Sequence, residues 1–208
     1  MSNDKYAEQI NKMGQLVKEG KIKKLNFFYT RSEETLQLLA ESMHRLTCFF
    51  KEHFGYDLYL TYGTLIGSLR DNDFIPYDYD VDLSYLSSKT SKKEVVKEYN
   101  EIIAEFSRIK KLAANHCHGH FHCRTPNNRF TIDIWTSYAL KDKYYMIPSI
   151  KGGISKDVVV PLKPRTFRGY SFYVPQNSEF LLDYMYVDWK TPILTDWRKF
   201  KWSEFLNH

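Results

Sequence analysis

Two stretches joined by a short polar loop constrain this chain more than any bulk property does. They are Gly63-Thr64-Leu65-Ile66-Gly67-Ser68-Leu69-Arg70 and Phe74-Ile75-Pro76-Tyr77-Asp78-Tyr79-Asp80-Val81-Asp82-Leu83. Asp57-Leu58-Tyr59-Leu60-Thr61-Tyr62 reads as the strand that delivers the chain to Gly63, where a helix is expected to start. A Gly-Thr step at that junction leaves backbone N–H groups open to a phosphate, and the helix adds the positive end of its dipole. In the second stretch, alternate residues of a strand project to one face, roughly 6–7 Å apart. Asp80 and Asp82 then share a face and are close enough to hold Mg²⁺, while Val81 and Leu83 anchor the opposite face in a core.

The surrounding elements follow from apolar spacing. Residues 4–21 carry Tyr6, Ile10, Met13 and Val17 on one helical face, with Gly20 as the stop, and read as a peripheral arm. Thr30-Arg31-Ser32-Glu33 has capping-box form before Leu36, Leu39, Met43, Leu46 and Phe50, so a core helix is expected up to Gly55. Ser91-Lys92-Lys93-Glu94 opens another, with Val95, Tyr99, Ile102, Ile103 and Phe106 facing inward. A last helix over about 178–187 is expected to turn Phe180, Leu181, Tyr184 and Met185 toward the body, with Trp189, Pro192 and Trp197 covering its end. No linker or repeat divides the chain, so residues 31–208 read as one catalytic domain behind an N-terminal arm over 1–30.

Between these helices, His116-Cys117-His118-Gly119-His120-Phe121-His122-Cys123 and Phe130-Thr131-Ile132-Asp133-Ile134-Trp135 alternate on either side of a Pro126-Asn127-Asn128 turn signal, which predicts a hairpin. With an even number of loop residues, paired positions sum to an odd number, and His120 or His122 falls beside Asp133. A one-residue bulge would bring Cys117, Phe121 and Cys123 there instead. Alternation also argues against structural zinc, because an extended strand sends its His and Cys residues to opposite faces. A substrate-facing histidine stripe and ordinary strand residues are the other readings of this segment.

Asp133 stands between Ile132 and Ile134, and an aspartate amid apolar strand residues requires a partner, of which a bound cation is the simplest. Asp80, Asp82 and Asp133 together are the parts list of two-metal phosphoryl or nucleotidyl transfer, with two Mg²⁺ or Mn²⁺ about 4 Å apart. Taken alone, the Asp-rich run after Pro76 could equally be a solvated turn, and Asp78 is read as no more than that. Gly63 and Thr64 are candidates for donor phosphate, and Arg70 for a guanidinium grip on it, the alternative for Arg70 being a cation that complements the helix C-terminus. Lys163, Arg165 and Arg168 read as a solvated charge run.

The two opening stretches resemble the LicD family signature, Gly-Thr-Leu-Leu-Gly-x-x-Arg followed by Phe-Ile-Pro-Trp-Asp-Asp-Asp-Ile-Asp. The similarity continues through Ile132-Asp133-Ile134-Trp135, Val160-Pro161-Leu162, Phe167-Arg168-Gly169, Val174-Pro175 and the 181–189 run. Tyr77 stands where Trp is usual, and Tyr79 replaces the middle acid. The resemblance implies a nucleotidyltransferase-like α/β (α+β) fold, a mixed sheet flanked by helices, with Asp80, Asp82 and Asp133 on the family's metal positions. It also implies transfer of a phospho-alcohol from a CDP-linked donor to a hydroxyl of a glycan or lipid-linked glycan, releasing CMP. Attachment of NMP to a small hydroxyl compound, and a non-catalytic glycan- or metal-binding module, are the alternatives.

Composition narrows the setting. A formal charge of +5 without an Arg-rich tract gives no nucleic-acid footprint, though it tolerates anionic substrates and peripheral contact with a membrane surface. Three Cys do not make a secreted disulfide framework, and residues 1–5 lack a signal pattern, so a cytoplasmic setting is expected, with the inner face of the membrane as an option within it.

Overall fold

The computed structural model describes residues 6–20, 27–110, 116–117, 119–125 and 130–192. Its elements run α1 (Ala7–Lys18), α2 (Glu33–Phe54), β1 (Leu58–Leu60), α3 (Tyr62–Arg70), β2 (Val81–Ser87), α4 (Lys92–Lys110), β3 (His116–Cys117) and β4 (His120–Arg124). They continue as β5 (Thr131–Leu140), β6 (Lys143–Met146), β7 (Ile150–Ser155), β8 (Lys163–Phe167), β9 (Tyr170–Val174) and α5 (Ser178–Met185). Among the described residues the strands form one sheet in the order β3-β4-β5-β2-β1-β9-β8, with β6 and β7 extending from β5. The sheet is mixed, since β2 runs parallel to β5 and β1 parallel to β9 while the remaining pairs are antiparallel. This is the mixed, helix-flanked sheet that the resemblance implied.

Local chemistry explains the helix boundaries. Ser91 accepts from the Glu94 amide, the N-cap bond of the expected capping box of α4, and its hydroxyl donates to the Glu94 carboxylate. Gly55 ends α2 at φ +77°, where a side chain would be strained. At the start of α2 the cap is Ser32, which accepts from the Thr35 amide; Thr30 instead turns its hydroxyl back onto the Phe27 carbonyl in a 3₁₀ turn. In α5 the inward residues are Leu181, Leu182 and Met185, whereas Phe180 and Tyr184 are exposed. The helix is thus rotated relative to the sequence expectation, because three apolar residues per turn and a half bury more than the two aromatics would.

One face of the sheet carries α2 and α4. Phe50 packs on Tyr85 (5.5 Å) and Phe49 on Phe106 (5.8 Å), which meets Phe121 of β4 (5.7 Å). Val81, Leu83 and Tyr85 of β2, with Ile132 and Ile134 of β5, are all buried on that side. The opposite parity of the same strands therefore carries the polar side chains. Tyr6 and Phe28 belong to the same buried cluster as the sheet residues, and Gln9 donates to the Pro192 carbonyl. Among the described residues, no helix is long and apolar enough to cross a membrane. Trp197 and the Pro126-Asn127-Asn128 turn lie outside the described residues.

Candidate active site

The site lies where β1 gives way to α3 and where β2 and β5 begin. Tyr62, the first residue of α3, takes φ +44°, uncommon for a bulky side chain. Its ring packs on Trp135 at 4.8 Å and its hydroxyl meets Ser149 Oγ at 3.0 Å, contacts that hold this tight strand-to-helix turn. Gly63 follows. A Cβ there would stand less than 3.0 Å from Asp78 Oδ2 and 4.0 Å from Asp82 Oδ2, so glycine is what lets these carboxylates approach the helix start. An acid there is favoured by the helix dipole.

Asp82 and Asp133 are register partners on the adjacent parallel strands β2 and β5. Trp135, two residues on, donates its indole N–H to Asp82 Oδ1 (2.8 Å), which fixes that carboxylate on the polar face. Thr64 Oγ1 accepts from the Asp82 amide (2.9 Å), pinning the start of β2 to α3. Asp80 sits just before β2, and its carboxyl is held well above the usual carboxylate range. The first cause is burial; the charges of Asp78 and Asp82, a hydrogen bond with Asp78 and the more distant charge of Asp133 add to it. Four carboxyl groups, Asp78, Asp80, Asp82 and Asp133, thus form one cluster of mutually repelling acids.

Asp78 is the member that sequence reasoning passed over as a turn residue. The signal was there, because Asp78, Asp80 and Asp82 share one parity. Its Oδ1 accepts from the Tyr79 amide, and its carbonyl accepts from the Phe28 amide, so the turn before α2 braces the acidic loop.

The hairpin of β4 and β5 runs without a bulge from His120 opposite Trp135 to Arg124 opposite Thr131. His122 consequently faces Asp133, and Nδ1 lies 2.5 Å from Asp133 Oδ1. That hydrogen bond raises the pKa of His122, with burial opposing it. His120 stacks on Trp135 at 4.1 Å. Cys123 is buried on the opposite parity beside the helices, so it cannot share an ion with His122. The side chain of Cys117 and all of His118 lie outside the described residues.

Arg70 is not brought to this cluster. It ends α3, about 10 Å of helix beyond Gly63. There its buried guanidinium pairs with Asp71 (3.0 Å), donates to the Trp189 carbonyl (3.0 Å) and lies over the Tyr6 ring. Arg165 and Arg168 are also engaged, Arg165 on the Ser68 carbonyl and Arg168 with Asp73 and Glu33; neither behaves as the solvated charge expected of it. A cavity of about 500 Å³ opens behind the Pro76 loop, lined by Tyr29, Arg31, Phe74 and Arg168 among others, and none of the four carboxyl groups lines it.

The donor set fits hard divalent cations. Oxygen ligands from several carboxylates are what Mg²⁺ and Mn²⁺ take, and a cation is the simplest way to relieve the repulsion that weighs on Asp80. A helix start set against strand-borne acids on a mixed sheet defines a nucleotidyltransferase-type domain. The chain belongs to the LicD family: the model of the LicD/FKTN/FKRP nucleotidyltransferase domain matches residues 55–177, from the approach to β1 through β9. Membership suggests a transferase with a phosphotransferase-type role in glycan modification. No curated protein matches the chain.

Proposed function

We propose that this protein transfers a phospho-alcohol, such as phosphocholine, glycerol phosphate or ribitol phosphate, from a CDP-linked donor to a glycan hydroxyl. The acceptor oxygen bonds to the phosphorus that bears the alcohol, the bond from that phosphorus to the CMP oxygen breaks, the acceptor proton passes to solvent, and CMP leaves. The single observation that carries this reading is the crowding of Asp78, Asp80, Asp82 and Asp133, which adds to burial in holding the Asp80 carboxyl above its ordinary range. Such a cluster is matched to divalent cations carrying a diphosphate.

In this reading Asp80, Asp82 and Asp133 hold the metal, and Asp78 closes the cluster at the start of α3. Mg²⁺, when bound, neutralises the diphosphate and acidifies the acceptor hydroxyl. Gly63 gives the Asp78 carboxylate room at the start of α3, whose backbone N–H groups face the donor phosphate in this reading, and Thr64 ties that helix to β2 so that phosphate and carboxylates stay in register. Trp135 holds Asp82 in one orientation. His120 and His122 border the cluster on the β4 side.

The test is CMP release from CDP-choline, CDP-glycerol and CDP-ribitol in Mg²⁺ with a suitable glycan acceptor, wild type against Asp82→Asn. The variant is expected to lose at least about 100-fold in rate, because the contribution is electrostatic. Equal rates would end the proposal. Release of pyrophosphate from a nucleoside triphosphate instead of CMP would move the protein to nucleotidyl transfer.

A further inference from the structure

Three neighbouring strands present one row of side chains across the polar face. His122 on β4 is the register partner of Asp133 on β5, and Asp133 is the register partner of Asp82 on β2. Successive members of such a row are separated by one strand spacing, about 4.8 Å. Asp133 therefore stands between two chemically different neighbourhoods. On the β2 side every ligand is a carboxylate oxygen. On the β4 side the ligands are imidazole nitrogens.

We propose that β4 supplies a second cation subsite, made by His120, His122 and Asp133, which takes a first-row transition ion such as Zn²⁺ or Co²⁺ beside the Mg²⁺-type subsite of the carboxylates. One ligand atom from each of the three residues lies within 4.8 Å of the others. Metal bonds of about 2.1 Å place tetrahedral ligands about 3.4 Å apart, so side-chain rotation closes the cluster without moving the strands. The two imidazole rings are already perpendicular, at 87° with centroids 4.9 Å apart, and His122 Nδ1 is 2.5 Å from Asp133 Oδ1.

The supports are in place as well. The His120 ring is stacked on Trp135, whose indole is held by Asp82, and the His120 carbonyl accepts from the Tyr99 hydroxyl at 2.7 Å. His120 is nearly buried whereas His122 is partly open to solvent, so an ion could enter from the His122 side. Ligand chemistry selects the ion. Mg²⁺ binds oxygen and keeps its water, whereas imidazole suits Zn²⁺ and its transition neighbours. Three protein ligands leave a fourth position for an oxygen from substrate or water.

This inference rests on the proposed function only in placing a hard cation on the carboxylates, and the test separates the two. The full chain is stripped with a chelator and equilibrated with Co²⁺ in a large excess of Mg²⁺. One Co²⁺ per chain is expected to remain, with the visible absorption of a nitrogen-ligated ion. His122→Ala should weaken it at least about 100-fold, since even losing a residue that merely supports a metal ligand costs about 10–100-fold. Asp80→Asn should retain it. Should His122→Ala fail to fold, wild type still decides, because one equivalent of Zn²⁺ must shift two histidine ring proton resonances in excess Mg²⁺. Displacement of Co²⁺ by Mg²⁺, or no histidine shift with Zn²⁺, overturns the subsite and leaves His122 and Asp133 as a plain hydrogen-bonded pair. Co²⁺ held on the histidines with no CMP released from any donor keeps the subsite and refutes the phosphotransfer reading; CMP release without nitrogen-bound Co²⁺ does the reverse.

Discussion

Gly63→Ala isolates the contact between the start of α3 and the acidic loop. The added methyl would stand less than 3.0 Å from Asp78 Oδ2, against the roughly 3.5 Å that ordinary contact requires. The carboxylate must therefore retreat by at least about half an ångström and up to about 1 Å. Asp82 Oδ2, at 4.0 Å, need not move. Because the colliding atom is the end of a rotatable side chain and alanine favours the helix by up to about 1 kcal/mol over glycine, stability should change by less than about 1 kcal/mol. Catalysis should be far more sensitive, since misplacing a group at the reacting centre by about 1 Å can cost about 100-fold, or roughly 2.7 kcal/mol of barrier. The assays are urea unfolding and initial rates of CMP release at saturating Mg²⁺. A cycle with Asp78→Ala makes the cause explicit: once the carboxylate is gone, Gly63→Ala has nothing to displace, so the double variant should be no slower than Asp78→Ala alone. A further 100-fold loss in the double variant, or a wild-type rate in Gly63→Ala, would refute the steric argument.

Gly67→Ala should behave oppositely, because its methyl meets the backbone carbonyl of Asp73, which cannot swing away; a stability loss of about 1–3 kcal/mol by urea unfolding is expected. Arg70→Ala should cost about 1–3 kcal/mol by removing the guanidinium from the Asp71 carboxylate, which keeps the Tyr6 hydroxyl as a donor, and an unchanged unfolding midpoint combined with a raised KM for the CDP donor would return Arg70 to the donor site. Tyr59, Tyr85 and Tyr144 keep their protons in the fold above the ordinary tyrosine range, chiefly through burial. The unfolded chain releases these protons first, so stability is full below about pH 10 and falls as pH rises beyond it, by up to about 1.4 kcal/mol per pH unit for each tyrosine. An unfolding midpoint that stays flat between about pH 9 and 11 would contradict this.

Much of the fold was legible because its signals are local. The Ser91 cap of α4 and the Gly55 stop depend on a few consecutive residues, and both are present. Strand parity narrowed the neighbour of Asp133 to His120 or His122, or with a bulge to the Cys117, Phe121 and Cys123 set, and the bulge-free register of β4 and β5 then selected His122. The surroundings of Arg70 were not legible, for the converse reason. Its partners Asp71, Trp189 and Tyr6 include residues 64 and 119 positions away, and no local pattern announces that they converge on one guanidinium. The face that α5 buries also depended on what it meets rather than on its own spacing.

The sequence by itself determined which side chains share a face, because periodicities of 2 and 3.6 are properties of the backbone. That sufficed for the Asp80 and Asp82 parity, the histidine stripe and the glycine at the start of α3. Only the tertiary structure decided which strands became neighbours. The parallel pairing of β2 with β5, across an intervening helix and hairpin, brings Asp133 beside Asp82, and Asp78 joins them because the turn before α2 holds its loop against Gly63. Charge crowding of that kind is a property of distance in space, and distance between segments far apart in the chain is set by packing.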